Sequence, residues 1–195
     1  MKRILKSALA GIAAAALGAS LGMNPAFAEM KMKEKTVEVG GAAMYPSKNI
    51  VQNAVNSKDH TTLVTAVKTA GLVPTLESKG PFTVFAPTNE AFKKLPAGTV
   101  DTLLKPENKD KLKSVLTYHV VPGRITAKEL MEKVKAGNGK AELKTVEGDT
   151  LTVMDKGGKL TLTDQKGDIA NITIANVMQS NGVIHVIDTV ILPSN

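Results

Sequence analysis

The sequence contains no cysteine and no tryptophan, and only four phenylalanines and two tyrosines. The missing thiols exclude disulfides, thiolate metal sites, a cysteine nucleophile and lipid attachment at a cysteine. An exported chain of this composition must be held together by its core alone. Few aromatics and no clustered arginine remove the signature of a nucleic-acid binder. The three histidines, His60, His119 and His185, stand far apart with no ligand spacing around them, so neither a metal nor a cofactor is expected. There is no G-x-S-x-G, no P-loop and no H-E-x-x-H. The carboxylates are scattered, mostly beside lysines. His185 and Asp188 look like a base and its orienter, but positions three apart on a strand face opposite sides, so His185 is read as a structural residue. No enzyme is expected.

A run long enough to cross a membrane is also lacking. The Ala/Leu/Gly-rich stretch over residues 7–22 is short against the ~20 apolar residues of a spanning helix. Lys2, Arg3 and Lys6 precede it and Ala26-Phe27-Ala28 follows it. A charged start, an apolar middle and a small-x-small end predict a secretory signal peptide over residues 1–28. The expected location is therefore secreted or periplasmic. Its removal leaves 167 of the 195 residues, enough for one domain with a real core. The formal charge of +7 loses three basic residues with that segment and becomes +4. This mild excess suits an anionic surface. Residues 29–46, polar and lysine-rich at their start, are expected to form a flexible leader. Met30 and Met32 have no further ligands around them and are not read as a copper(I) site.

The richest stretch lies at residues 81–92. Phe82, Val84 and Ala86 alternate with Thr83 and Phe85, which predicts a short strand buried on both faces. Pro87 ends it, and Thr88 is placed to cap a following helix with Glu90 in its first turn. Upstream, Ser47 and Asp59 are expected to cap two helices whose apolar positions are Ile50, Val51, Ala54 and Val55, then Leu63, Val64, Ala66, Val67 and Ala70, with Gly71 as the stop. Leu112, Val115 and Leu116 mark a later helix. Thr126 and Glu129 form a capping-box pair for another. After the helix ended by Gly137 the period changes to two, with Leu151 and Val153 alternating with Thr, as do Leu160 and Leu162. Residues 155–158 and 165–168 read as turns, the pattern slips at Ala175 and Val177 as in a bulge, and residues 183–192 read as a buried final strand. Helices first and strands later predict an α+β domain. Asn171-Ile172-Thr173 matches a glycosylation sequon but lies inside a predicted strand, so it is discounted.

Three runs carry a family resemblance. Thr83-Val84-Phe85-Ala86-Pro87-Thr88-Asn89-Glu90-Ala91-Phe92 closely resembles the first signature box of the fasciclin domain family. Leu116-Thr117-Tyr118-His119-Val120-Val121-Pro122-Gly123 matches in the right order. So does Asn181-Gly182-Val183-Ile184-His185-Val186-Ile187-Asp188, running on to Leu192-Pro193. The resemblance covers roughly residues 47–193, as one copy. It implies a fasciclin-like β-wedge of two sheets with helices packed along one side.

In fasciclin domains of animal matrix proteins the tyrosine–histidine pair matched by Tyr118 and His119 is linked to integrin binding. The second integrin-linked motif carries Asp-Ile, where this chain has Asn176 and Val177. The aspartate charge is absent, so the integrin reading does not transfer. The resemblance still implies an extracellular adhesion or protein-interaction module, binding a cell-surface or matrix protein or a polysaccharide as a monomer. The alternative is a carrier of a small ligand or lipid, using a cleft between sheets and helices. Within the pair, helical spacing places His119 inward beside Leu112, Val115 and Leu116 and turns Tyr118 toward solvent. Any contact role is therefore expected of Tyr118, and a structural one of His119.

Overall fold

Two glycines, Gly40 and Gly41, separate two short alternating runs near the start of the chain, and the runs pair. In the computed structural model, which describes residues 35–194, β1 (Val37–Val39) and β2 (Ala42–Met44) form an antiparallel hairpin. Val39 and Met44 are buried in the core. The expected flexible leader is thus corrected from Val37 onward. The predicted signal peptide and the Met30 and Met32 pair lie outside the described residues.

The helices follow their capping chemistry. α1 (Ile50–Ala54) is capped by Asn49 and not by Ser47. The Asn49 side chain accepts from the Gln52 N–H at 2.8 Å, and the Gln52 side chain accepts from the Asn49 N–H at 3.0 Å. This reciprocal box satisfies two backbone donors at once. Asp59 sits inside a 3₁₀ turn, Lys58–His60, and not at a cap. α2 (Thr61–Ala70) ends at Gly71, whose φ of 72° suits a residue without a β-carbon. α3 (Val73–Glu77) has Pro74 in its first turn.

β3 (Phe82–Pro87) leads into α4 (Asn89–Lys93), where the Thr88 hydroxyl accepts from the Ala91 N–H at 3.2 Å. α5 (Thr99–Leu103) and α6 (Lys109–Tyr118) follow, then β4 (Val120–Pro122). α7 (Ala127–Ala136) opens on the Thr126 and Glu129 box.

Five strands complete the chain: β5 (Lys140–Lys144), β6 (Thr150–Lys156), β7 (Lys159–Thr163), β8 (Ile169–Gln179) and β9 (Gly182–Ile187). The sheet order is β4-β3-β9-β8-β7-β6-β5. β3 and β9 run parallel and every other pair is antiparallel. The first three residues of β8 pair with β7, and those from Ile172 pair with β9. Register shifts at 172–174 and 174–177, with Asn176 at φ 60°, bend β8 between these roles. The sheet therefore has two halves that share β8. The Val146 N–H donates to the Val120 carbonyl at 2.8 Å, which draws the β5 end back toward β4 and nearly closes the wedge.

Alternation along β3 divides the interior. Val84 and Ala86 join Leu63, Ala66, Leu112 and Leu116 in a core beneath the helices. Phe85 joins Leu151, Val153, Leu162 and Ile187 in a second core inside the wedge. α7 packs on β5, β6 and β7 and adds Leu130 and Val134 to that second core. The domain is α+β, and one helix serves a different core from those packed on the β3 and β9 face. The last strand is shorter than expected and stops at Ile187. The tail beyond it is tied by two carboxylates: Asp164 accepts from the Leu192 N–H at 2.8 Å and Asp149 from the Ser194 N–H at 2.9 Å.

Candidate functional site

Tyr118 and His119 end α6 where helix gives way to strand. Tyr118 has no exposed surface. Its hydroxyl donates to the Thr150 carbonyl at 3.0 Å, and its ring belongs to the core inside the wedge. The expected solvent-facing tyrosine is therefore corrected: α6 lies between two cores, and its last residue enters the second. Burial, helped by the negative charge of Asp164, pushes the phenol up to about 12. His119 is 2% exposed. Its Nδ1–H donates to the Val115 carbonyl at 2.7 Å, and its Nε2 accepts from the Ile191 N–H at 3.2 Å. This assigns the neutral tautomer. Its carbonyl also accepts from the Phe85 N–H at 2.9 Å. Burial lowers the imidazole to about 4 although the Val115 carbonyl pulls the other way.

His185 and Asp188 do not meet. His185 is fully buried, its Nε2–H donating to the Ile125 carbonyl at 2.9 Å and its ring stacked on Phe85 with centroids 5.7 Å apart. The Asn176 N–H points at its Nδ1 from 3.4 Å. The Asp188 carboxylate instead accepts from Asn171, through the backbone and side-chain N–H groups, both at 2.8 Å. Asn176 holds the left-handed bulge, and its side-chain oxygen accepts from the Ala127 N–H at the start of α7 at 2.8 Å. Asn tolerates that conformation. Val177 beside it is buried. Among the described residues, no group of three or more His, Asp or Glu side chains is placed to hold a metal ion.

The cleft between sheets and helices that the carrier alternative calls for lies in the helix-side core, and the residue that sequence reasoning missed is His60 in its wall. An apolar cleft runs between α1, α2 and α3 and the strands β3 and β9, walled by Ile50, Leu63, Val67, Leu76, Val84 and Ile184, with a void of about 70 Å³. His60 also lines it and is 4% exposed. Its Nδ1 meets the Ser57 hydroxyl at 2.9 Å, while its Nε2 has no hydrogen-bond partner. The Ala86 carbonyl is close enough to favour the protonated ring but does not reach hydrogen-bonding geometry, and burial keeps the pKa lowered. A serine beside a histidine evokes a nucleophile and its base, but no carboxylate orients the far nitrogen, as such chemistry requires. The only sequence hint was the Ser-x-x-His spacing of residues 57 and 60, which fits many turns.

Comparison with known proteins places this geometry. The model of the fasciclin domain matches residues 58–193. The chain is 50% identical over 191 residues to protein sll1483 of Synechocystis sp., covering 97% of this chain and 99% of that one. It is 39% identical over 132 residues to transforming growth factor-beta-induced protein ig-h3 of Sus scrofa, covering 67% of this chain and 17% of that longer one. Among solved structures it is similar to a FAS1 domain pair from the insect cell adhesion molecule fasciclin I. The TM-score is 0.65 at 19% identity, over 82% of this chain and 58% of that one. The signature runs, the bulged two-halved sheet and these matches agree: the chain belongs to the fasciclin domain family.

Proposed function

We propose that the protein is an exported, non-catalytic adhesion module that binds a cell-surface protein, a matrix protein or a polysaccharide through its surface. The supporting observation is that His119 and His185 are both committed to main-chain groups, inside a domain of a family found in a cell adhesion molecule. Such residues hold a shape and leave recognition to the exterior. Tyr118 and His119 then contribute by holding the surface above them. Val146, 41% exposed and joined through its backbone N–H to the Val120 carbonyl next to the pair, is an apolar side chain a partner could touch. Among the described residues no helix is long and apolar enough to cross a membrane, in keeping with a chain freed by signal cleavage.

The alternative, a carrier, draws support from the apolar cleft. Its void is far below the ~300–1,000 Å³ of pockets that bury a drug-sized ligand, so the adhesion reading is preferred. The test immobilises the protein and measures binding of purified envelope polysaccharide, matrix proteins and whole cells. Saturable binding weakened by Val146→Asp, at unchanged melting temperature, is expected. Absence of saturable binding to all three would sink the proposal.

A further inference from the structure

We propose that the cleft between α1–α3 and the β3 and β9 strands is a binding site for a slim, unbranched aliphatic molecule with a neutral hydroxyl, which bonds Nε2 of His60. A buried ring nitrogen without a partner forfeits the hydrogen bonds that water gave it. His60 is 4% exposed and its Nε2 is such an atom. The ring is not free to turn elsewhere, because its Nδ1 is held by Ser57. The imidazole therefore stands in the wall of an apolar cleft with one polar atom unsatisfied, the nearby Ala86 carbonyl lying outside hydrogen-bonding geometry.

Size and polarity narrow the ligand. A void of about 70 Å³ is roughly half the ~150 Å³ of an engineered apolar cavity that accepts benzene. It admits the hydroxyl and the first few carbons of a chain, the remainder lying along the mouth, and excludes a ring. The walls named above are aliphatic and disperse no charge, so a head group carried to His60 must be neutral. A hydroxyl both donates and accepts, and so satisfies His60 in either tautomer. Lys68 is exposed at the rim, and Val51 and Val64 are half-buried there, which leaves a way in from solvent. An amphiphile bound the opposite way, with a carboxylate at Lys68 and its tail inward, is the competing pose.

The proposal goes beyond the adhesion reading and does not rest on it. The test titrates the protein with hexan-1-ol, hexane and hexanoate, following the ¹⁵N resonances of the histidine rings and the heat of binding. Hexan-1-ol is expected to saturate, to move the Nε2 signal of His60 with little change at His185, which lies outside the cleft, and to bind at least tenfold more tightly than hexane. Val64→Trp, which narrows the mouth, is expected to weaken it tenfold or more, and His60→Phe to erase the preference for the alcohol. If His60→Phe does not fold, the ¹⁵N shift and the Val64→Trp variant still decide. Equal affinity for hexane, tighter binding of hexanoate, an unmoved Nε2 or failure to saturate each overturns the assignment.

Discussion

The Nε2 of His119 accepts the backbone N–H of Ile191 at 3.2 Å, across 72 positions of sequence. With its other nitrogen on Val115, the ring fastens the tail of the chain to the end of α6. Removing it leaves one buried carbonyl and one buried N–H without partners. His119→Ala is therefore expected to cost about 1–3 kcal/mol, read as a lowered denaturant midpoint with unchanged slope. A midpoint equal to the parent's would show that water replaces the ring.

The same histidine makes stability depend on pH. Burial holds it at about 4 against 6.5 for the free side chain. The unfolded chain thus takes up a proton first. The contribution is fully present above pH 6.5 and is lost as pH falls toward 4. His119 alone accounts for roughly 3 kcal/mol over that window. His60 and His185 are lowered in the same direction, again by burial. Unfolding free energies from pH 8 to pH 4 are expected to be level at first and to drop below about 6.5. A flat profile would mean that the buried rings accept protons in place.

Tyr118 supplies a contrast with an exposed residue. Tyr118→Phe removes only the bond to Thr150 and is expected to cost about 0.5–1.5 kcal/mol. Tyr118→Ala opens the wedge core and is expected to cost roughly 3–5 kcal/mol. In a Tyr45→Phe background the tyrosinate absorbance should rise only near pH 12, because burial disfavours the phenolate. A rise two units lower would place the ring in solvent.

The N-terminal hairpin offers a deletion test. A chain starting at Pro46 loses Val39 and Met44 from the core. At ~1.5–3 kcal/mol for each fully buried side chain of this size, the shortened protein should be less stable by roughly 3–6 kcal/mol. Thermal denaturation of both lengths measures this. An unchanged melting temperature would restore the leader reading.

Much of the architecture was legible locally. Pro87 and Thr88 marked the β3 to α4 junction, Thr126 and Glu129 opened α7, and the slipped period near Ala175 and Val177 announced the bulge. In each case the signal and its physical cause lie within a few residues. The errors came from two sources. Ser47 and Asn49 are both good caps, and only the Gln52 partner three residues on separates them. β5 shows just two apolar positions, Ala141 and Leu143, among charges, too few to establish a period. The Tyr118 error is different in kind. Helical spacing gives the angle between neighbouring side chains but not what lies on each side, and here both sides are core. The place of His60 in the cleft wall was illegible for the same reason: the other walls come from helices and strands up to more than a hundred positions away.

The parallel pairing of Phe82 with Gly182 also governs how the chain comes together in time. Gly182 comes so close that a β-carbon there would lie 2.1 Å from the Phe82 carbonyl oxygen, so no bulkier residue fits that register. β9 is the last strand made, yet it fills the slot between β3 and β8. Until it arrives, the facing edges of both neighbours lack partners, and neither half of the sheet is complete. Closing a loop of that length comes late and slowly on the folding path. A growing chain of this topology stays pliable until β9 has been added, and only then can the two halves of its sheet lock together.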